Sequence, residues 1–345
     1  MFDRIGRVKH YLIVYDRLIG FRSPEGVEVV AVWCVGETMA VFTPAEAGPA
    51  EEVTTWVRGA GGAESNVACA LAGLGVDVGW VSAVGDDPFG RAVVASVAAA
   101  GVDVSRVRVD PTRPTGLYVK EANRSGSAMR YYRAGSAASA LGPEVVDGLG
   151  AASHVHVTGI TAALSPSCLA LVHALLDRAG ATTSFDVNWR PALWGAEGPD
   201  VLRALAAKAD IVLVGDDEAE ALWGVSTPSE VRALLPEPTT VVVKQGATGA
   251  TVLEGGEPPV FEPALTVDVV EPVGAGDAFA AGFLSAHLSA DPPSRRLRAG
   301  HLAAAGALLT HSDVAVPLPP ADVARLLTAT PETWSTTRIT ATGAS

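Results

Sequence analysis

Short apolar runs and longer amphipathic segments alternate along most of this chain. Runs rich in β-branched residues, of the length of a strand, occur at 27–35, 78–82, 154–157, 183–185, 211–214 and 241–243. Ala- and Leu-rich segments with helical periodicity lie between most of them, at 63–75, 88–100, 166–179 and 199–208. This alternation predicts an α/β fold, a doubly wound and mainly parallel sheet flanked by helices with right-handed crossovers.

Two segments interrupt the alternation. Residues 38–60 and 115–133 lack helical periodicity and contain extended stretches, the second broken by a polar turn at 123–127. A small antiparallel sheet that projects from the α/β body as a lid would account for both segments.

The two ends of the chain differ from this body in composition. Residues 1–28 contain an apolar stretch that Lys9, Asp16 and other charged residues interrupt, so we interpret them as an N-terminal extension and not as a secretory signal. The Thr-rich end, 329–345, is predicted to be a flexible tail. The residues between these two ends, 29–328, are predicted to form one domain.

Composition and charge restrict the classes of partner. Hydrophobic residues make up 48% and charged residues 18% of the 345 residues, which is typical of a globular chain with a large core. The formal net charge of −13 disfavours nonspecific binding to nucleic acid or to an anionic membrane. Cys34, Cys69 and Cys168 lie scattered in apolar stretches, so we expect reduced thiols and a cytoplasmic protein.

The segment 271–289 holds the first candidate chemistry. Gly274, Ala275 and Gly276 lead into a strongly helical run, so their backbone N–H groups are expected to face outward at a helix N-terminus. Such a turn can cradle the charge on a transferring phosphoryl group. Asp277 follows directly and could take a proton from an attacking hydroxyl, and we expect the positive helix end to keep it ionised. The alternative is that Asp277 only caps the helix.

A second glycine-rich helix start lies at 61–66. Gly61 and Gly62 open a helix that carries Asn66, and a strand and a Gly-Asp-Asp-Pro-Phe-Gly helix start follow at 85–90. Alone, this pattern could equally be a packing and capping turn, because glycine pairs begin helices in many α/β proteins.

The two segments together resemble the paired signatures of the PfkB (ribokinase-like) carbohydrate kinase family. The resemblance implies transfer of phosphate from ATP, with Mg²⁺, to a hydroxymethyl group, and it leaves a monovalent cation open as an activator. It also implies that Asp277 is the catalytic base, that 274–276 form the anion cradle, and that Gly61, Gly62 and Asn66 contact the substrate.

Further elements resemble the nucleotide site of this family. Lys244, Gly246 and Gly249 match its Lys-x-Gly-x-x-Gly loop, although a plain turn between strands would explain the same residues. Glu218 falls at the glutamate that organises Mg²⁺, and could otherwise be a surface acid. His301 stands where related kinases have Asn near the adenine, and could otherwise be a half-buried helix residue.

Two residues depart from the family pattern in this region. Gly215 replaces the Asn of the Asn-x-x-Glu element, and Glu271 replaces an Asp before Pro272. Neither removes the base or the anion cradle, but both bear on phosphate and nucleotide affinity.

The expected substrate is an acidic sugar. Alternation places Tyr131 and Arg133 on one face of a lid strand, where a tyrosine and an arginine can hold a carboxylate. Arg190 follows a strand at the edge where α/β proteins bind ligands. These segments resemble 2-keto-3-deoxygluconate kinases, which implies roles for Asn188 with nucleotide phosphates and for Tyr118 and Asp313 near the sugar. The alternative is a solvated Arg133 and a structural Arg190 salt bridge.

The sequence therefore predicts an enzyme that phosphorylates the terminal hydroxyl of a sugar or sugar acid, most closely 2-keto-3-deoxygluconate. The alternatives are a fructokinase, ribokinase or nucleoside kinase of the same family, and a non-catalytic sugar sensor that the Gly215 replacement leaves open. No Gly-x-Gly-x-x-Gly follows the first strand, which disfavours a dinucleotide-binding dehydrogenase. Strand edges in the lid also predict a homo-oligomer, either a dimer joined through the lid or a larger assembly.

Overall fold

The computed structural model describes residues 30–46, 48–123, 126–150, 152–310, 316–341 and 343–344. In chain order the strands are β1 (Val32–Val35), β2 (Met39–Pro44), β3 (Trp56–Gly61), β4 (Val78–Gly85), β5 (Val107–Asp110), β6 (Leu117–Asn123), β7 (Gly126–Tyr132), β8 (His154–Thr158), β9 (Thr182–Asp186), β10 (Ile211–Gly215), β11 (Thr240–Lys244), β12 (Gly249–Glu254), β13 (Val260–Pro263), β14 (Thr266–Val267), β15 (Arg338–Thr340) and β16 (Gly343–Ala344).

The helices follow the same order. They are α1 (Ala63–Gly73), α2 (Pro88–Ala99), α3 (Gly159–Ala163), α4 (Pro166–Leu176), α5 (Gly198–Ala206), α6 (Asp216–Trp223), α7 (Pro228–Leu234), α8 (Ala275–Leu288), α9 (Pro293–Leu308), α10 (Pro320–Leu327) and α11 (Pro331–Thr336). Short 3₁₀ turns occupy 138–140, 143–149 and 191–193. None of the helices in the ranges described above is long and apolar enough to cross a membrane.

The central sheet confirms the predicted doubly wound fold. Its strand order is β13-β12-β11-β10-β9-β8-β1-β4-β5, and the strands from β11 to β5 in this order run parallel. Two antiparallel strands, β12 and β13, extend one edge. The sheet is covered on both faces, as parallel sheets normally are. Helices α4 to α7 pack on one face, and α1, α2, α8 and α9 pack on the other.

The lid exists as a separate four-stranded sheet, but it is not purely antiparallel as predicted. Its order is β3-β2-β6-β7, and β2 pairs with β6 in parallel, because a long excursion through the body separates them in the chain. One face carries Met39, Val41 and Tyr118 in a small apolar cluster. On the lid, Phe42 packs edge-on against Phe89 of α2 with ring centroids 5.6 Å apart, which attaches the lid to the body.

The prediction of a flexible tail at 329–345 is wrong for residues 331–340. They form α11 and β15, and Trp334 and Ile339 are completely buried in a third apolar cluster with Leu265 and Leu302. The Thr-rich composition concealed these two apolar anchors, each of which sits among polar neighbours. The predicted extension at 1–28 lies outside the described residues.

Candidate active site

Four parallel strands end together beside one large cleft. Thr158 at the end of β8 is in register with Asp186 at the end of β9, and Gly215 at the end of β10 is in register with Lys244 at the end of β11. The carboxyl ends of the strands in an open α/β sheet are where ligands bind. The cleft here has a volume of about 890 Å³, which is within the range of small-molecule sites.

Most of the predicted site residues line this cleft. They are Gly61, Gly62, Asn66, Tyr118, Tyr131, Arg133, Asn188, Arg190, Glu218, Lys244, Gly246, Gly274, Gly276 and Asp277. The sequence places them up to 216 positions apart, since the set runs from residue 61 to residue 277. The fold therefore brings together the lid residues, both glycine turns and the Lys244 loop.

The glycine turn before α8 has the geometry expected of an anion cradle. Gly274 adopts a left-handed φ of 81° as the N-cap of α8, a conformation that glycine accepts without strain. Ala275 and Gly276 form the first helical positions, where N–H groups have no partner within the helix. The N–H of Ala275 donates to the carbonyl of Pro272 at 3.3 Å, so the donors that the turn presents along the cleft are those of Gly274 and Gly276. This helix end therefore offers backbone donors and a positive dipole to the cleft.

Asp277 is held by a side chain from the other glycine motif. Its Oδ2 accepts a hydrogen bond of 2.8 Å from Nδ2 of Asn66, and no side-chain capping bond forms at this helix start. The structure therefore does not support the reading of Asp277 as only a helix cap. The contact joins α1 and α8 across 211 positions of sequence.

The protonation of Asp277 differs from the expectation that the helix end keeps it ionised. Burial raises the pKa of Asp277 from 3.8 to about 7; the Asn66 hydrogen bond and the charges of Lys244 and Arg190 lower it, and the charge of Asp186 adds to the rise. Desolvation therefore outweighs the helix end. A carboxyl with a pKa near neutrality is well matched to general base catalysis.

Lys244 faces a carboxylate that the sequence reasoning missed. Its Nζ donates to both oxygens of Asp186, at 3.0 and 2.8 Å. Burial acts to lower the pKa of Lys244, but the charges of Asp186 and Glu218 outweigh it, so the ammonium stays protonated. Asp186 could have been found from its place at the end of a strand, four residues before the predicted Arg190.

Glu218 lines the cleft and also accepts hydrogen bonds from two backbone N–H groups. Its Oε2 accepts the N–H of Gly215 and its Oε1 accepts the N–H of Trp189, both at 2.7 Å. Burial raises the pKa of Glu218, and the nearby Lys244 opposes the rise. Because each carboxylate oxygen keeps a further lone pair, Glu218 can still bind a metal-bound water or ion.

Arg133 lines the cleft from the lid and is largely buried, whereas one alternative of the sequence analysis placed its side chain in solvent. It is ion-paired with Glu37, whose Oε2 accepts from Arg133 Nε at 2.6 Å, and Oε1 of Glu37 accepts a short hydrogen bond from Ser136. Glu37 is 3% exposed and lies two residues beyond the carboxyl end of β1. The guanidinium also lies 5.9 Å from the ring centroid of Tyr131, and both side chains line the cleft.

The loop that carries Asn188 and Arg190 is held in an uncommon conformation. Asn188 has a φ of 42°, which is rare for residues other than glycine, and its N–H donates to Asp186. Nη1 of Arg190 donates to the carbonyl of Trp189 and lies 3.9 Å from Glu218. The predicted salt bridge of Arg190 is therefore long and half exposed, which leaves the guanidinium accessible from the cleft.

The glycine turn at 61–62 is required by close packing. A Cβ on Gly62 would lie 2.1 Å from the carbonyl oxygen of Glu37, so only glycine fits. Glu64 in the same motif is fully buried, and one of its oxygens accepts from the hydroxyls of Thr158 and Thr161 at 2.8 and 2.7 Å. These bonds fix the first turn of α1, and with it Asn66, against the end of β8.

Of the predicted residues that the structure describes, Ala275, Gly249 and His301 do not line the cleft. Gly249 begins β12 and faces β13, where a Cβ would collide with the carbonyl of Glu262. His301 is buried between Phe279 and Trp334, with Nε2 3.1 Å from the carbonyl of Glu262, and burial lowers its pKa to about 4. Asp313 lies outside the described residues. Gly249 and His301 thus pack against Glu262 of β13 instead of facing the cleft.

Comparison with known proteins decides the family. The model described as pfkB family carbohydrate kinase matches residues 31–320. The chain belongs to the pfkB family of carbohydrate kinases. It is a carbohydrate kinase with a small-molecule sugar substrate, as the resemblance of its two glycine motifs implied.

Relatives within the pfkB family cover most of the chain. A 2-dehydro-3-deoxygluconokinase of Thermoproteus tenax is 36% identical over 279 residues, 78% of this chain and 85% of the relative. One of Bacillus subtilis is 39% identical over 261 residues, 72% of this chain and 81% of the relative. A candidate ribokinase II of E. coli in complex with ATP and Mg²⁺ superposes with a TM-score of 0.75 at 25% identity, covering 83% of this chain and 94% of that chain.

Membership in the pfkB family implies that the protein uses ATP and Mg²⁺. The described residues contain no cluster of three or more metal-ligating side chains. That fits Mg²⁺, which is commonly bound through one or two carboxylates together with waters and substrate phosphates. Glu218 and Asp217 are carboxylates of the cleft lining that could take part in this way.

Proposed function

We propose that this kinase transfers the γ-phosphoryl group of ATP to the terminal hydroxyl of 2-keto-3-deoxygluconate. The observation that carries the proposal is the contact of Asp277 with Asn66 at the mouth of the glycine turn, in a carboxyl whose pKa lies near neutrality. The names of the relatives described above support the choice of sugar.

In this proposal Asp277 accepts the hydroxyl proton as the sugar oxygen attacks the γ-phosphorus, and ADP leaves. The N–H groups of Gly274 and Gly276 would stabilise charge on the transferred group; the position of both residues at the helix start and in the cleft lining supports this role. Lys244, kept protonated by Asp186, contributes a second positive charge. Mg²⁺ bound with Glu218 would neutralise phosphate charge.

The sugar end is proposed to bind the substrate carboxylate. Support comes from Tyr131, Arg133 and Arg190, which all line the cleft. Glu37 already compensates the charge of Arg133, so we assign the larger share of the anion's charge to the more accessible Arg190 and an orienting role to Arg133. Asn188 is proposed to contact nucleotide phosphate, and Tyr118 to form the sugar wall.

A screen of sugars tests the proposal directly. ADP release would be measured with 2-keto-3-deoxygluconate, fructose, ribose and a nucleoside at equal concentrations, and the phosphorylated carbon would be identified by NMR. We expect the highest kcat/KM with the sugar acid. A preference for fructose or ribose would establish one of the other sugar kinases, and absence of turnover with every sugar would favour the sensor.

One arginine variant and a matched control test whether the cleft recognises the carboxylate of a sugar acid. Arg190→Gln is expected to raise the KM for the sugar acid by roughly 10-fold or more, because a charge-assisted contact is lost, while the KM for ATP changes little. Arg203→Gln, in α5, is a matched arginine outside the cleft lining and serves as the control. Equal losses on acidic and neutral sugars would refute the carboxylate assignment.

The proposal also includes two finer features. The first is activation by a monovalent cation, which replacement of K⁺ by tetramethylammonium at constant ionic strength would test.

The second is a dimer joined through the lid, whose outer strands β3 and β7 carry the exposed apolar side chains Val57 and Tyr132. Light scattering of Val57→Lys against the parent chain would test the dimer, and an unchanged mass would exclude that surface.

A further inference from the structure

The C-terminal segment, residues 331–340, lies beyond the region that the pfkB family model matches. The match ends at residue 320, whereas α11 and β15 follow it and pack onto the nucleotide side of the body. The proposed reaction assigns no task to this segment. A continuous series of hydrogen bonds and strand pairs nevertheless connects this segment to the glycine turn before α8.

Trp334 anchors the segment. Its side chain is completely buried, and its Nε1 donates a hydrogen bond of 2.8 Å to the carbonyl of Pro263, the last residue of β13. The guanidinium of Arg298 lies over the ring, with Cζ 4.9 Å from its centroid. Arg298 also donates to the carbonyl of Ala329 at 2.6 Å and to Glu262 at 3.1 Å. The anchor therefore fixes the start of the segment to β13 and α9.

From this anchor the segment pairs with the strand that leads towards the active site. β15 runs parallel to β14, with Thr266 opposite Arg338 and Val267 opposite Ile339. The N–H of Asp268 donates to the carbonyl of Ile339 at 3.2 Å, and Nε of Arg338 donates to the Asp268 carboxylate at 3.2 Å. Among the described residues, β14 has β15 as its neighbour in the sheet.

The chain after Asp268 runs directly into the glycine turn. The N–H of Val270 donates to the carbonyl of Leu308 at the end of α9, at 2.8 Å. Glu271 is nearly buried, and its Oε1 accepts the N–H of Val273 at 3.4 Å. Pro272, Val273 and Gly274 then line the cleft. Residues 266–274 are thus held by β15 on one side and by α9 on the other.

We propose that the C-terminal segment is a positioning element for the nucleotide phosphates, with Trp334 as its decisive residue. Trp334 touches neither substrate nor the reacting atoms. It acts through β15 and β14 on residues 268–274, and so keeps the N–H groups of Gly274 and Gly276 in the orientation that receives the phosphates. This inference rests on the proposed placement of the phosphates at that turn.

The expected loss of nucleotide affinity depends on the fraction of molecules in which the glycine turn before α8 is ordered. Without the ladder to β15, a two-residue strand has too few contacts to stay fixed. If the competent arrangement is then present about one-tenth of the time, the apparent Kd of the nucleotide rises about 10-fold, since apparent affinity scales with the competent fraction. The sugar end lies across the cleft and should keep its affinity.

A pair of matched tryptophan variants in the full chain tests the inference. Trp334→Phe keeps an apolar ring and removes the bond to Pro263. Trp33→Phe is the control, because Trp33 is also buried and donates from Nε1 to a main-chain carbonyl, that of Leu149, at 2.9 Å. The Kd of ADP would be measured by calorimetry, the KM of ATP and of the sugar by initial rates, and Tm by thermal unfolding.

We expect both variants to lower Tm and only Trp334→Phe to weaken nucleotide binding, by about 10-fold in Kd and KM, with the sugar KM within about twofold. Nucleotide values within about twofold of the parent in a folded Trp334→Phe would overturn the inference and leave the segment a purely structural cover. The same holds if Trp33→Phe weakens ADP equally.

The outcome can be separated from failure of the proposed reaction. Binding of ADP does not require turnover, so the calorimetric result stands even if another base or another sugar is found. A milder variant, Arg338→Ala, weakens the same ladder without a buried cavity, and Arg91→Ala, which removes an exposed ion pair to Asp86 at 3.2 Å outside this small sheet, is its control. Only the former is expected to raise the nucleotide Kd, and no difference between them would count against the inference.

Discussion

The hydrogen bond from Asn66 to Asp277 gives a prediction about the pH dependence of the kinase. Asn66→Leu keeps the approximate shape of the side chain but removes the donor 2.8 Å from Asp277 Oδ2. Burial already raises the pKa of this carboxyl to about 7, and the Asn66 bond is the first of the influences that lower it. Its loss must therefore raise the pKa further, because the ionised form loses its donor.

The magnitude follows from the strength of a hydrogen bond to a charged group, about 1.5–3 kcal/mol. Since one pKa unit corresponds to about 1.4 kcal/mol, the pKa of Asp277 should rise by about one to two. A base must be ionised to act, so activity falls as the pH drops below the pKa. The acid limb of kcat/KM, expected near pH 7 in the parent, should move up by about one to two pH units in Asn66→Leu.

The assay is ADP release under kcat/KM conditions across the range of pH in which the parent chain stays folded. Ser65→Ala is the control, because Ser65 lies in the same helical turn and donates to the carbonyl of Gly62 without touching Asp277. It should leave the acid limb in place. An unchanged limb in Asn66→Leu, or an equal displacement in both variants, would refute the reasoning that this bond sets the protonation of the base.

Three other predictions concern stability and reactivity. Because the folded chain holds the Asp277 proton up to about pH 7 and the unfolded chain releases it near 3.8, the free energy of unfolding should fall as pH rises through that window. Asp277→Asn should be more stable than the parent above pH 7, by at most about 4 kcal/mol in urea unfolding, with the difference gone near pH 4. Gly62→Ala should lower stability by about 1–3 kcal/mol, since its Cβ meets the Glu37 carbonyl, and an unchanged Tm would contradict this packing. The buried thiols of Cys34 and Cys69, whose pKa values burial raises, should resist a thiol reagent at pH 8 until denaturant is added.

The sequence predicts the body of this fold well because its strands are β-branched runs separated by helices, a pattern that local chemistry dictates. Pairing between distant segments is harder to predict. The parallel contact of β2 with β6 depends on how the lid returns to the body, and no local pattern reports it. The packing of Trp334 against Pro263 joins residues 71 apart and was hidden in a Thr-rich end.

The candidate site was predicted at its glycine turns, because glycines near a helix start have a recognisable spacing. The carboxylates that pair with the basic residues of the site were not predicted from the sequence. Glu37 pairs with Arg133 across 96 positions and Asp186 with Lys244 across 58, and neither spacing has a local signature. The protonation of Asp277 was predicted in the wrong direction, since a helix end was visible in the sequence and the burial that outweighs it was not.

The central claim is that Asp277 is the base of an ATP-dependent sugar kinase. It is tested most directly by kcat of Asp277→Asn with ATP and 2-keto-3-deoxygluconate, measured beside the Kd of ADP. The account predicts a fall in kcat of about 10²–10⁴-fold with ADP binding retained, because the variant keeps the cradle and loses only the proton acceptor. Turnover close to that of the parent would contradict it.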